Sequence, residues 1–271
     1  MEYKKCAVCG GSGQALESMK MLSRMDPEKY KEVIERYKEV YETLDRPSQK
    51  YSIPCPLCNG GQAQSAQTAL KRANIPKIYQ GKRMIDFKRD IYMDNMGNIA
   101  DISSNMKIID NFINNFWEME EQGQDIFIYS NCSGSGKTLL AVAIIGEILE
   151  KYAVNAKFFE ESELLEEETT NEIIKQYCSC RLLVIDNVGQ QQTGAYDTDK
   201  IIKQLYKIIK TRYENNLITI YTARRPMKQL CRKEEVYNKM YSRCITIHLP
   251  EYNVGAEMSI RRKNKICGSN T

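Results

Sequence analysis

Histidine and tryptophan occur once each in the 271 residues and proline only seven times. No apolar run approaches the roughly 20 residues that a membrane-spanning helix needs. That last absence excludes a chain threaded through a bilayer, and the start, MEYKKCAVCGG, lacks the apolar stretch of a signal peptide. A cytoplasmic protein without a membrane partner is therefore expected. The lone histidine, His248, falls inside a strand-like pattern with no partner for chemistry. The lone tryptophan, Trp117, lies on the apolar stripe of a helix. Both read as structural. Excess charge is also scarce: 39 Lys and Arg against 35 Asp and Glu leave a net charge of +4, too mild by itself to imply nucleic acid. Hydrophobic content of 42% and charged content of 27% are ordinary for globular proteins. The length suits one large domain and a small one. Cysteine is not scarce. Ten of them in a cytoplasmic chain point to metal or free thiols rather than disulfides.

Four of those cysteines form two Cys-x-x-Cys pairs, Cys6 with Cys9 and Cys55 with Cys58, each followed by small residues. Four thiolates close a tetrahedral Zn²⁺ site with no open position, so a structural zinc is expected there. Between the pairs, Asp26 and Pro27 read as a helix N-cap and first residue. Tyr30, Val33, Ile34, Tyr37, Val40, Tyr41 and Leu44 then recur at helical spacing until Pro47. A helical arm closed at its base by zinc fits this pattern. The expected organisation is a zinc-bound helical domain at 1–62, a linker and lead-in at 63–90, and the main domain at 91–271.

The stretch YSNCSGSGKTLL, 129–140, organises the rest. An apolar strand pattern (Ile126 to Ile128) precedes it and a helical one (Leu139 to Tyr152) follows, as a phosphate-binding loop requires. Asn131, Cys132, Ser133, Gly134, Ser135 and Gly136 would form the loop, with backbone N–H groups turned toward phosphate oxygens. Lys137 would reach the β- and γ-phosphates, and the Thr138 hydroxyl would ligate Mg²⁺. Position 131 departs from the usual pattern, G-x-x-x-x-G-K-[ST]. Asn stands there in place of Gly, and the expectation is that Asn, tolerant of left-handed backbone, still lets the loop form.

Further along, AKFFE (156–160) reads as a strand and SELLEEETTNEIIKQYC as a helix capped by Ser162. The glutamates between Glu160 and Glu168 read as its solvated face. RLLVIDNVG (181–189) reads as a buried parallel strand delivering Asp186 to the phosphate loop as a Mg²⁺-supporting carboxylate. Asn187 follows, where many ATPases carry a second acid that orients the attacking water. An amide positions water but cannot take its proton, so any hydrolysis is expected to be slow or conditional. A helix at 199–213 carries Lys200, Lys203, Lys207 and Lys210 on one side and Ile201, Leu205, Ile208 and Ile209 on the other. The lysine row is first a solvated face, and second the kind of row that tracks a single strand of nucleic acid. LITIYTA (217–223) reads as another buried strand ending in Thr222, a candidate sensor of the γ-phosphate. Earlier in the chain, 104–121 reads as one amphipathic helix, and Tyr79 and Phe87 as anchors of the lead-in or neighbours of a bound base.

The order IPKIYQ, DF, phosphate loop, AKFF, LLVIDNVG, ITIYTA, SR and G-x-x-x-S-I-R resembles the DnaC/DnaI-type helicase loaders and their IstB relatives, over roughly 75–265. The resemblance implies an AAA+ P-loop NTPase core, a parallel sheet flanked by helices, behind the small zinc-bound domain. It implies ATP and Mg²⁺ at Lys137, Thr138 and Asp186. It also makes Arg243 an arginine finger for a neighbouring subunit and Arg261 a second sensor of the γ-phosphate, roles that suit a permanently charged planar fork. The implied activity is ATP-dependent loading of a replicative hexameric helicase onto single-stranded DNA, with self-association through ATP-bridged subunits. Asn131, Asn187 and the Thr222-Ala223 pair depart from the family pattern, all around the γ-phosphate, and point to a switch more than a fast motor. An IstB-like transposition helper and an ATP-gated adaptor with little hydrolysis are the alternatives.

Overall fold

The computed structural model describes residues 66–94, 96–152, 154–165, 170–189, 198–230 and 234–266. The zinc site expected at Cys6, Cys9, Cys55 and Cys58 and the helix expected after Pro27 lie outside the described residues. The chain divides into two compact units, Met1–Lys71 with Leu149–Asn155, and Arg72–Ile148 with Ala156–Thr271. The described chain begins with α1 (Ala66–Arg72), which falls in the first unit up to Lys71.

The second unit is a parallel α/β sheet. In chain order, α2 (Ser103–Asn114) and α3 (Phe116–Glu121) lead to β1 (Asp125–Tyr129), and α4 (Lys137–Tyr152) leads to β2 (Ala156–Glu160). Next come α5 (Asn171–Ser179), β3 (Leu182–Val188), α6 (Thr198–Glu214) and β4 (Ile218–Ala223). Two short helices, α7 (Met227–Leu230) and α8 (Glu234–Tyr241), precede β5 (Cys244–His248), and α9 (Val254–Ile266) follows it. The five strands run parallel in the order β2-β3-β4-β1-β5. Such strands are covered on both faces, which is why they read as unbroken apolar runs. β4 is buried at every position. Phe127, Phe159, Ile185, Ile208 and Tyr221 belong to one core cluster, and Phe159 stacks on Tyr177 with ring centroids 4.3 Å apart.

Register gathers the chemistry. Glu160 lies opposite Asp186, Tyr129 opposite Ala223 and His248. Between Ile185 and Val188 the β3–β4 register slips, so Asp186 and Asn187 leave the regular ladder just where the strand ends. All of these residues lie at the carboxyl edge of the sheet.

Three expectations need correction. The helix at 104–121 is two helices, broken at Asn115, which has φ −115° and ψ 37°. Its side chain donates to Asn111 Oδ1 at 2.7 Å, a local bond that competes with the helical backbone. The segment after β2 opens as a short 3-10 turn, Glu161–Leu165, and the helix proper is capped by Thr170, not Ser162. Glu161 is not on a solvated face: it is buried, and its Oε2 accepts from the Gly189 N–H at 2.8 Å. The lysine-row helix is as expected among its described side chains, with Lys203, Lys207 and Lys210 exposed and Ile201, Leu205, Ile208 and Ile209 buried.

Candidate functional site

The phosphate loop turns out of β1 at its carboxyl end. Gly134 and Gly136 take φ of +74° and +90°, a region that side chains with a Cβ seldom enter. A Cβ at Gly136 would come within 3.2 Å of both Phe87 and Tyr92, and one at Gly134 would collide with the Asn253 carboxamide. The Tyr92 hydroxyl donates to the Ser135 carbonyl at 2.7 Å, fixing the loop from below. Burial raises that phenol above its ordinary range. Asn131 is accommodated otherwise than expected. It is not among the residues with positive φ, and its amide instead donates to Glu251. The loop therefore does not need a left-handed residue at 131. Gly255 N–H also donates to the Gly134 carbonyl at 3.1 Å, so the 251–255 segment holds the loop from outside.

Lys137 opens α4 and is 6% exposed. Its ammonium donates to the carbonyls of Ser130 at 3.1 Å and Cys132 at 2.8 Å and to Ser135 Oγ at 3.1 Å. Burial, and then the nearby Arg224 guanidinium, hold it below the ordinary lysine range. A buried cation resting on neutral acceptors at a helix N-terminus is a seat for an anion. Beside it, the Thr138 hydroxyl lies 2.9 Å from each oxygen of Asp186. Thr222 donates to the same carboxylate and accepts from the Asn187 N–H at 3.0 Å. Burial raises Asp186 above its usual range and Glu160 adds to this, while the hydrogen bonds from Thr222 and Thr138 and the charge of Lys137 work against it. A hydroxyl and a carboxylate side by side are hard oxygen donors of the kind Mg²⁺ takes. The residues present fit both a triphosphate and its Mg²⁺ ion.

Asn187 has φ +57°, and its amide reaches across to Glu160 Oε1 at 3.1 Å. Tyr79, hydrogen-bonded to Thr138, is raised above its ordinary range by burial first, then by Asp186 and Glu160. So Lys137, Thr138, Asp186, Asn187 and Thr222 meet at one edge, as the motifs indicated. Sequence reasoning missed Glu160, Tyr92, Glu251, Asn253 and Arg224. Of these only Glu160 carried a signal, as the acid that ends a strand in AKFFE just as Asp186 ends the apolar run of β3.

Arg243 and Arg261 make other contacts within the chain. Arg243 precedes β5, at the opposite edge, where Cys244 lies opposite Asp125. Its guanidinium is turned inward: it donates to the Gly123 carbonyl and, at 3.1 Å, to the Tyr213 carbonyl, and it lies 3.6 Å from the buried Asp125. At 7% exposed, the guanidinium is clamped against the backbone of its own chain, with Nη2 buried and without a hydrogen-bond partner among the described residues. Arg261 lies on α9, whose first turn meets the loop through Gly255, and donates to Glu257 at 2.8 Å on its own helix. His248, read as partnerless, stacks on Tyr129 with centroids 4.5 Å apart. Phe87 is buried under the loop as an anchor.

A parallel sheet in this order, with a phosphate loop after β1 and an acid ending β3, defines a P-loop NTPase fold. No protein-family model and no curated protein sequence matches the chain. Among solved structures, a proposed primosome component from Streptococcus pyogenes serotype M3 shares 20% identity, covering 69% of this chain and 96% of that one, with a TM-score of 0.53. DnaI shares 18%, covering 66% of this chain and 94% of its own, with a TM-score of 0.50. The replication initiator DnaA, bound to AMPPCP and single-stranded DNA, shares 18%, covering 73% and 57%, with a TM-score of 0.51. The fold is similar to that of these three proteins. Among the described residues no helix is long and apolar enough to cross a membrane.

Proposed function

We propose that this chain is an ATP-dependent helicase loader acting at the initiation of DNA replication. The observation that carries the reading is the buried Lys137 beside the Thr138–Asp186–Thr222 cluster at the carboxyl edge of the parallel sheet. The similarity of fold to DnaI, to a primosome component and to DnaA supports replication as the setting. ATP would bind with its phosphates at Lys137 and the loop. Thr138 and Asp186 would hold Mg²⁺, which neutralises phosphate charge when bound. Thr222, bonded to Asp186 and to the Asn187 N–H, would report the state of that cluster to the Asn187 backbone. The zinc-bound segment at Cys6, Cys9, Cys55 and Cys58 would dock on a replicative hexameric helicase. The exposed lysines Lys203, Lys207 and Lys210 are candidates to track single-stranded DNA. ATP would favour self-association on the helicase, and hydrolysis or exchange would release the loader.

The test is co-purification of the chain with a hexameric replicative helicase, with and without ATP, followed by transfer of the helicase onto single-stranded DNA. ATP-dependent capture and transfer, lost in Lys137→Ala, support the reading. Capture of a transposase instead, with duplex DNA bound, would establish the transposition-helper alternative.

A further inference from the structure

We propose that Glu160 is the general base of ATP hydrolysis in this chain, and that Asn187 is its positioning residue. The acid missing from position 187 is supplied by the neighbouring strand. The inference rests on the nucleotide reading above and names the group that would do its chemistry.

The geometry is specific. Glu160 ends β2 directly opposite Asp186, the residue that ends the regular part of β3. The slip in β3 and the φ of +57° at Asn187 turn its side chain sideways along the edge rather than outward. Its N–H is tied to Thr222 at 3.0 Å, and its amide donates to Glu160 Oε1 at 3.1 Å. An amide that donates to one carboxylate oxygen leaves the other to accept. Asp186 is unsuited to the role, since Thr138 sits at 2.9 Å from both its oxygens and Thr222 donates to one of them. Glu161 is buried and holds the Gly189 N–H.

In the step, the water oxygen forms a bond to the γ-phosphorus as its proton passes to the Glu160 carboxylate. The bond from phosphorus to the β,γ-bridging oxygen breaks, and its electron pair leaves with ADP. The proton then passes to the phosphate product, restoring the carboxylate.

Glu160→Gln keeps the shape and the contact with the Asn187 region but cannot accept a proton. ATP turnover, ATP affinity by fluorescent-nucleotide titration, and trapping of ADP with aluminium fluoride, a mimic of the phosphoryl group under attack, would be measured on the full chain. The expected result is a loss of about 100-fold or more in turnover, with ATP affinity within about two-fold of wild type and trapping lost. The exchanged variant, Glu160→Asn with Asn187→Glu, is expected to recover part of the turnover. Glu160→Gln that turns over ATP or traps ADP like wild type overturns the assignment. Wild type that binds ATP and hydrolyses none overturns it too, while leaving nucleotide binding intact. Wild type that binds no ATP removes the nucleotide reading itself.

Discussion

Arg243→Ala separates two accounts of one residue. If Arg243 serves a neighbour's nucleotide, truncation spares folding and removes activity. If it is an internal clamp, folding suffers first. Its guanidinium is held by the carbonyls of Gly123 and Tyr213, lies beside the Tyr213 ring at 5.4 Å, and faces Asp125, itself 4% exposed. Removing one partner of such a pair leaves the other buried and uncompensated, at a cost of about 3–5 kcal/mol. For a unit of this size that lowers the melting temperature by roughly 10 °C. The pH dependence gives a second handle. Burial pushes the Asp125 carboxyl from its ordinary 3.8 up to about 6, against the pull of Arg243 and of the Thr219 N–H. With its folded value above its unfolded one, this group favours folding most below pH about 4. That contribution, about 3 kcal/mol, is lost as pH rises to about 6. Without Arg243 the upper limit moves higher, so the deficit of the variant is expected to be smallest near pH 5 and largest near pH 8. Urea unfolding followed by the fluorescence of Trp117 measures it. Adding Asp125→Asn to Arg243→Ala is expected to restore part of the loss. An unchanged urea midpoint with abolished ATP turnover would refute the clamp and restore the finger.

Gly134→Ala forces a Cβ into the left-handed region and against Asn253, costing about 1 kcal/mol in the backbone alone; ATP affinity is expected to fall at least about ten-fold, whereas Gly255→Ala, with nothing nearer than 3.4 Å, is expected to bind normally. Asp186→Asn removes a charge that burial disfavours, so the ligand-free chain is expected to gain about 1 kcal/mol in urea unfolding while losing the Mg²⁺-dependent part of its stabilisation by ATP. Zinc analysis of the purified chain by atomic absorption is expected to give one ion per chain, lost in a Cys55→Ser, Cys58→Ser double variant; an equal zinc content in that variant would contradict the four-thiolate site.

What was legible in the sequence was whatever depends on local pattern. The apolar runs of β1 to β4 could be read because parallel strands buried on both faces leave no alternation. AKFFE was read with the bounds the strand has, Ala156–Glu160. The phosphate loop could be read because glycines, Lys137 and Thr138 stand at fixed spacing. Pairing across the sheet was not legible. That Glu160 faces Asp186, and that Asn187 turns along the edge to meet it, follow from strand order and from a slip in register that neither segment records. The setting of Arg243 was not legible for a related reason. Ser-Arg before a strand looks the same whether the guanidinium points outward or folds back on Gly123 and Asp125. The residues that hold the loop from outside, Glu251 and Asn253, belong to a connection about 120 positions away and carry no motif of their own.

The central claim is that Lys137, buried on neutral acceptors, waits for the phosphates of ATP. Isothermal titration of the full chain with ATP, with and without Mg²⁺, beside Lys137→Ala, tests it directly. The expected result is one ATP per chain, tighter with Mg²⁺, and no measurable binding in the variant. Equal binding by wild type and Lys137→Ala, or none by wild type in the presence of Mg²⁺, would contradict the account.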